Sequence, residues 1–363
     1  MPHVFVNLLQ TTGTKGGIEI YAKELYKHLG KIDSSLSYTG FASSELAQTD
    51  TSWFPGEVIN SKISGENRLS WAKGELFEVS AAAKRIKTDL IHGPAMFGPL
   101  KSEIPVVTSF HDVLYFSHPE LMQTKLFTEP VKWMERRAAK VSKRIITISE
   151  YSARGIEKYL KVSRDRIDVI PLAGRKTISP AQSSVREADL FLAMGQRSPY
   201  KNFETIIRAW SFIPRENRPR LIITGSHAND PLIPLVEQLG LQESIDLKTW
   251  VSVEELESLL GTATALIDST LATGFSMPTL EAMNLGLPVL MADTEVFREV
   301  GGEAAVYFEA GNPESLASTV LDFIGNPALR SKLSKSGLTR SKAYSWEKVA
   351  AETEKSFLKA LEQ

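Results

Sequence analysis

The run GFSMPTLEAMNLGLPVL, from Gly274 to Leu290, passes from a loop through the opening of a helix to the start of a strand. Gly274 opens the loop after the apolar run Ala265 to Ile267. Pro278 suits a first helical turn, where its missing N–H costs nothing. Val289 to Met291 then reads as the next strand. Strand, helix, strand in that order is the unit from which parallel sheets are built.

Outward from this run the same rhythm continues. Leu190 to Met194, Leu221 to Thr224 and Ile245 to Leu247 precede it as strands, and Ala305 to Phe308 follows. Towards the N-terminus a second series reads as Val4 to Leu8, Leu90 to His92, Val106 to Phe110, Ile145 to Ile148 and Val169 to Ile170. A helix from about Ile18 to Leu29 puts Ile18, Tyr21, Ala22, Leu25 and Leu29 on one face. Positions 34–80 show no clear period and read as variable loop and helix. From Leu172 to Asp189 small, polar and charged residues replace the apolar signal, as in an interdomain linker. The last helix starts at Ser345, a plausible N-cap, with Trp346, Val349, Ala350, Thr353, Phe357 and Leu361 on one stripe. The expected fold class is α/β, with two doubly wound Rossmann-like domains.

Composition narrows the function. With 363 residues, 42% hydrophobic and 23% charged, the chain exceeds what one core organises and is an ordinary globular sequence. Its 42 basic and 43 acidic side chains leave a net charge of -1, without the cationic surplus that phosphate-backbone binding needs, so no nucleic-acid partner is expected. Without cysteine there is no thiolate metal site and no disulfide framework. The first apolar run ends near Leu9, far short of the roughly 20 residues of a membrane span. A cytoplasmic protein without signal peptide or transmembrane helix is the expectation.

Four places can carry chemistry. The loop with Gly13, Gly16 and Gly17 leaves a strand and enters a helix whose free N–H groups suit a phosphate, although such glycines serve tight turns more often than ligands. The loop from Gly195 to Phe203 mirrors it and brings Arg197 and Lys201 to a sheet edge, either as diphosphate ligands or as solvated surface cations. In the third, Gly274, Phe275, Ser276, Met277, Pro278 and Thr279 lead to Glu281. Backbone N–H groups there can face an anion, and Glu281 can accept both hydroxyls of a ribose or simply complement a helix dipole. The fourth is His111 with Asp112, at the carboxyl end of a first-half strand, where ligands of open α/β sheets collect. His92 ends its own strand similarly.

These stretches together resemble the retaining GT-B glycosyltransferases of family 4, the group 1 type. GGIE at Gly16 to Glu19, SFHD at Ser109 to Asp112, ITISEYS at Ile146 to Ser152, IDVIP at Ile167 to Pro171, the run from Gly274 to Leu290, and the tail through Asn312 and Tyr344 to Glu347 follow the family's order over nearly the whole chain. The resemblance implies an acceptor-binding domain of 1–172 plus 346–363, the last helix crossing back to it, and a donor-binding domain of 187–345. A cleft between them would hold a nucleotide sugar as co-substrate. By the same resemblance Gly16 and Gly17 approach the donor phosphate, Arg197 and Lys201 clamp the diphosphate, and the amides from Phe275 through Thr279 complete the anion site. Glu281 holds the ribose, and His111 contacts the sugar near its anomeric carbon. His111, Glu281 and Lys201 are then the catalytic set.

The implied reaction moves a hexose or deoxyhexose, with a lean to mannose-like sugars, to a hydroxyl of a glycan or glycolipid. It needs no metal and belongs to polysaccharide or lipopolysaccharide assembly. The chain departs from the pattern at Thr273, where the family's first glutamate stands, and at Ser276 in place of a glycine. Thr273 implies altered sugar preference, reduced activity, or a partner subunit that binds without turnover. Lys132, Arg136, Arg137, Lys140, Lys143 and Arg144, beside Trp133, read as a solvated helix face or a peripheral contact with the inner membrane face.

Overall fold

The computed structural model describes residues 1–13, 16–122, 125–175, 189–226 and 228–362. The centre of the expected linker, 176–188, lies outside them. Two compact units make up the chain: Met1–Leu172 with Ser345–Gln363, and Ala173–Tyr344.

The first unit holds a parallel sheet of seven strands: β1 His3–Leu8, β2 Ser37–Ala42, β3 Gly56–Asn60, β4 Leu90–Gly93, β5 Val106–Phe110, β6 Arg144–Thr147 and β7 Ile167–Val169. Their order is β3-β2-β1-β4-β5-β6-β7. The chain builds outward from β1 in one direction, returns, and builds from β4 in the other, so the direction of winding switches between β1 and β4. The carboxyl ends of strands at such a switch are where open α/β sheets bind their ligands. Val4, Phe5 and Val6 have no exposure, as expected of a central parallel strand covered on both faces.

The second unit repeats the plan with β8 Leu190–Met194, β9 Arg220–Ser226, β10 Ile245–Thr249, β11 Ala265–Asp268, β12 Val289–Ala292 and β13 Val306–Phe308, ordered β10-β9-β8-β11-β12-β13. Its switch lies between β8 and β11, paired through Phe191 with Ala265 and Leu192 with Leu266. Phe191 is fully buried, with its ring centroid 5.8 Å from Trp210 and 6.0 Å from Phe323 on the helices Phe203–Phe212 and Pro313–Ile324. Burying such a side chain stabilises the fold by about 2 kcal/mol.

Two expectations need correction. Positions 34–80 contribute two strands, β2 and β3, beside short helices. Arg144 does not lie on the basic helix; it opens β6 and is buried.

The final helix, Trp346–Glu362, begins after Ser345, whose Oγ accepts the N–H of Lys348 at 3.2 Å. It packs on the helix Gly16–Leu29 and on β4 to β6, burying Trp346, Val349, Ala350, Thr353 and Phe357. Asp168 of β7 ties it down. Arg144 donates to both of its oxygens at 2.7 Å, Ser356 Oγ to Oδ2 at 2.7 Å, and Lys359 Nζ to Oδ1 at 3.0 Å. Among the described residues no helix is long and apolar enough to cross a membrane.

Candidate functional site

In the second unit the loops after β8 and β11, adjacent at the switch, are bonded to each other. Ser269 Oγ donates to the carbonyls of Lys201 at 2.7 Å and Asn202 at 3.1 Å, and Leu271 N donates to Tyr200 O at 2.8 Å. Gly195 starts the first loop at φ +137°, a conformation L side chains rarely adopt. The Lys201 stem crosses above it, Cε lying 3.3 Å from where a Cβ would sit. Among the described residues no carboxylate pairs with the Lys201 ammonium.

The second loop is held from beneath. Asp268, at the end of β11, accepts Ser276 Oγ at 2.8 Å on Oδ2 and Thr270 Oγ1 at 2.5 Å on Oδ1. With its proton committed to Asp268, Ser276 Oγ turns its lone pairs to Thr279 N at 3.3 Å and Thr279 Oγ1 at 3.0 Å, capping the helix Met277–Asn284. Thr273 Oγ1 closes on its own loop, donating to Phe275 O at 2.6 Å and accepting from Phe275 N at 3.4 Å. The expected row of amides from Phe275 through Thr279 is therefore reduced. Phe275 and Thr279 spend their N–H groups internally, and Pro278 has none. Ser276 and Met277 keep N–H groups without an acceptor among the described residues. The Phe275 side chain is buried, its ring 6.0 Å from that of Tyr344.

Arg197 has a different place from the one the sequence suggests. Its side chain is 7% exposed, and all five N–H groups are taken: Nε and Nη2 by Asp230, Nη1 by the carbonyls of Gly195 and Thr224, and Nη2 also by Ile223 O. Its guanidinium also lies 5.0 Å from the Phe203 ring centroid. A guanidinium so committed braces the ends of β8 and β9 and has no donor left for a diphosphate. Burial raises the Asp230 pKa, but the bonds from Arg197 and Leu232 outweigh it and hold this carboxyl below its ordinary range. Glu281 is buried, and it meets a partner no motif announced: Arg175 Nε donates to its Oε1 at 2.7 Å.

In the first unit the loop after β1 turns around a carboxylate. Glu19 accepts the N–H groups of Thr12 at 3.3 Å and Gly13 at 2.9 Å and pairs with Lys23 at 2.8 Å. Gly16 and Gly17 open the helix itself. His111 directly follows β5, with 7% exposure, and its Nε2 lies 2.9 Å from Pro94 O. A carbonyl only accepts, so Nε2 carries the hydrogen and Nδ1 holds a lone pair. The Tyr21 ring stands edge-on at 4.6 Å. Burial lowers the His111 pKa to about 4 despite the opposing effect of the Pro94 bond, so the imidazole is neutral at pH 7. Asp112 accepts Leu114 N at 3.1 Å, and burial raises its pKa.

His92 belongs to the core. It is fully buried between Tyr26 Oη at 2.5 Å and Ser109 Oγ at 3.0 Å, and burial, with a smaller contribution from His111, takes its pKa down to about 3. Glu135, on the helix Lys125–Val141, is another residue the sequence did not flag. It is fully buried, with neither carboxyl oxygen hydrogen-bonded among the described residues, and burial followed by the Asp112 charge pushes its pKa well up. Among the described residues no group of three His, Asp or Glu side chains is placed to hold a metal ion.

Two family models tile the chain: glycosyltransferase family 4 over residues 15–173, and glycosyl transferases group 1 over 174–340. The chain belongs to the group 1, family 4 glycosyltransferases. Its two doubly wound units are the GT-B fold. This glycosyltransferase is 27% identical to O-antigen chain mannosyltransferase B of Escherichia coli, over 75% of the chain and 74% of that protein. It is 26% identical to the MMP alpha-(1->4)-mannosyltransferase of Mycolicibacterium hassiacum, over 87% of the chain and 78% of the relative. Among solved structures, Anabaena HepE in complex with UDP superposes with a TM-score of 0.75 at 16% identity, covering 99% of this glycosyltransferase and all of HepE.

Proposed function

We propose that this glycosyltransferase moves a hexose, mannose by preference, from a nucleoside-diphosphate donor to a hydroxyl of a glycan or glycolipid, retaining the anomeric configuration. The observation that carries the donor site is the bonded pair of loops at the β8/β11 switch. They present Lys201, unpaired among the described residues, and the N–H groups of Ser276 and Met277 at a helix N-terminus. A diphosphate leaving group accumulates negative charge as the glycosidic bond breaks, and fixed donors of this kind stabilise it. They also supply the neutralisation for which a divalent ion would otherwise serve. Glu281 takes the ribose hydroxyls. His111, neutral and with its Nδ1 lone pair available, accepts a hydroxyl of the transferred sugar. Arg197 supports this set through the backbone of its loop.

The mannose preference rests on the names of the two relatives. HepE, whose structure was solved with UDP, supports a nucleotide ligand. A lipid-linked acceptor would bring the chain to a membrane surface. Trp133 is half exposed on the basic helix, but Arg137 donates to Leu100 O, Arg136 lies over Phe116 and Arg144 is buried, so fewer cations than six serve such a contact.

A second reading, a subunit that binds donor without turnover, is favoured by Thr273, whose hydroxyl is spent on its own loop. Release of nucleoside diphosphate from GDP-mannose, UDP-glucose and UDP-galactose, with a mannan oligosaccharide acceptor, separates the two for the wild type and Thr273→Glu. Turnover of GDP-mannose to an α-linked product is expected. Binding without release by both proteins would establish the second reading instead.

A further inference from the structure

Glu281 is met by a residue from outside every motif that the sequence offers. Arg175 Nε donates to Oε1 at 2.7 Å, and Nη2 reaches Oε2 at only 3.4 Å. The Glu281 side chain is 6% exposed and that of Arg175 24%. Backbone packing brings them together. A methyl group on Gly174 would lie 2.7 Å from Glu281 N and 2.8 Å from the Leu280 carbonyl carbon, atoms of a helix backbone that cannot swing aside. Only a glycine lets the chain press against the helix here, and the next residue is Arg175.

A carboxylate offers about four lone-pair directions. Arg175 takes one on each oxygen, firmly on Oε1 and loosely on Oε2, which leaves one on each. Two neighbouring acceptors fixed in a plane suit two neighbouring hydroxyls, the arrangement of a ribose diol. The guanidinium also fixes the orientation of the carboxylate. Without it, a largely buried charge stands uncompensated and turns towards another partner.

We propose that Arg175 is a nucleotide-recognition residue, positioning Glu281 so that its two oxygens read the 2′- and 3′-hydroxyls of a nucleoside diphosphate. The inference rests on the donor site proposed above and adds its discrimination of ribose from deoxyribose. Arg175 acts through Glu281, so its loss raises KM for the donor and leaves kcat within a few-fold.

Calorimetric titration of GDP, UDP and their 2′-deoxy counterparts into the wild type, Arg175→Ala, Arg175→Lys, Gly174→Ala and Glu281→Ala tests it. The wild type is expected to favour the ribonucleotide by about tenfold or more, the scale of one hydrogen bond to a charged group. Arg175→Ala and Gly174→Ala lose that preference while deoxynucleotide affinity stays within about twofold, below the worth of a single hydrogen bond. Arg175→Ala combined with Glu281→Ala matches Glu281→Ala alone, and Arg175→Lys, which keeps the charge, retains part of the preference. Equal loss of ribo- and deoxynucleotide binding in a folded Arg175→Lys or Arg175→Ala protein, or an intact preference, would overturn the role of Arg175. If Glu281→Ala abolishes the preference and Arg175→Ala does not, the donor site stands and only Arg175 falls. A wild type that binds neither nucleotide overturns both.

Discussion

Arg197 and Lys201 share one loop and end in opposite circumstances. Arg197 is closed in by Asp230 and three carbonyls, whereas Lys201 crosses Gly195 with no carboxylate against it among the described residues. Residue type and spacing are the same kind of signal for both, and what separates them is Asp230, thirty-three positions away and invisible to local reading. The histidines divide in the same manner. His92 and His111 both stand at carboxyl ends of strands, yet one is locked between Tyr26 and Ser109 while the other has a ring nitrogen with no hydrogen-bond partner among the described residues. Their burial has a measurable consequence. Folded pKa values of about 3 for His92 and about 4 for His111 lie below the ordinary 6.5, so between these values the unfolded chain binds more protons than the folded one. Stability rises with pH across that window. On acidification from pH 7 to pH 5 each histidine withdraws roughly 2 kcal/mol. Burial of Glu135 and Asp112 acts in the opposite sense, so the test compares two proteins: between the two pH values, urea unfolding should show a loss roughly 2 kcal/mol smaller in His92→Gln than in the wild type, and equal losses would contradict a neutral, buried His92.

Among the elements, the final helix depends on one carboxylate. Asp168 accepts from Arg144, Ser356 and Lys359; burial raises its pKa, but these bonds together hold it below the ordinary value. Asp168→Ala strands Arg144, whose side chain is 7% exposed, and should cost about 3 kcal/mol in urea unfolding. A change under about 0.5 kcal/mol, the range of ordinary surface substitutions, would show the cluster to be incidental. This helix was legible because its apolar stripe and Ser345 cap are local signals. β2 and β3 were not. The sequence SYTGFA is almost wholly buried yet carries small and polar residues, because its register beside β1, with Tyr38 opposite Val4 and Phe41 opposite Asn7, supplies what its own side chains lack. β3 reads GEVIN at the sheet edge, mostly exposed, with no apolar face to announce it. The Gly274 to Leu290 run was readable as loop, helix and strand. Its hydroxyl network on Asp268 was not, since hydrogen-bond partners depend on the fold that brings them together.

For the whole molecule, two parallel sheets wound outward from β1 and β8 place the candidate residues of each unit at carboxyl strand ends, and the family models span both. Alternation of apolar runs and helical periods already carried this architecture, and the order of motifs carried the family. Arg175 stayed hidden because it stands where apolar pattern gives way to a charged stretch, and only packing at Gly174 gives it meaning. In the proposed function the second unit binds a nucleotide sugar through Lys201 and the helix Met277–Asn284. The most direct measurement is the melting temperature of the wild type and Lys201→Ala with GDP-mannose and UDP-glucose. At a hundred times the dissociation constant, binding to the folded state alone adds about 2.7 kcal/mol, a rise of several degrees. One donor should raise the wild-type melting temperature in this way and leave Lys201→Ala nearly unmoved at the same concentration. No rise with either donor, or an equal rise in both proteins, would contradict donor binding through Lys201.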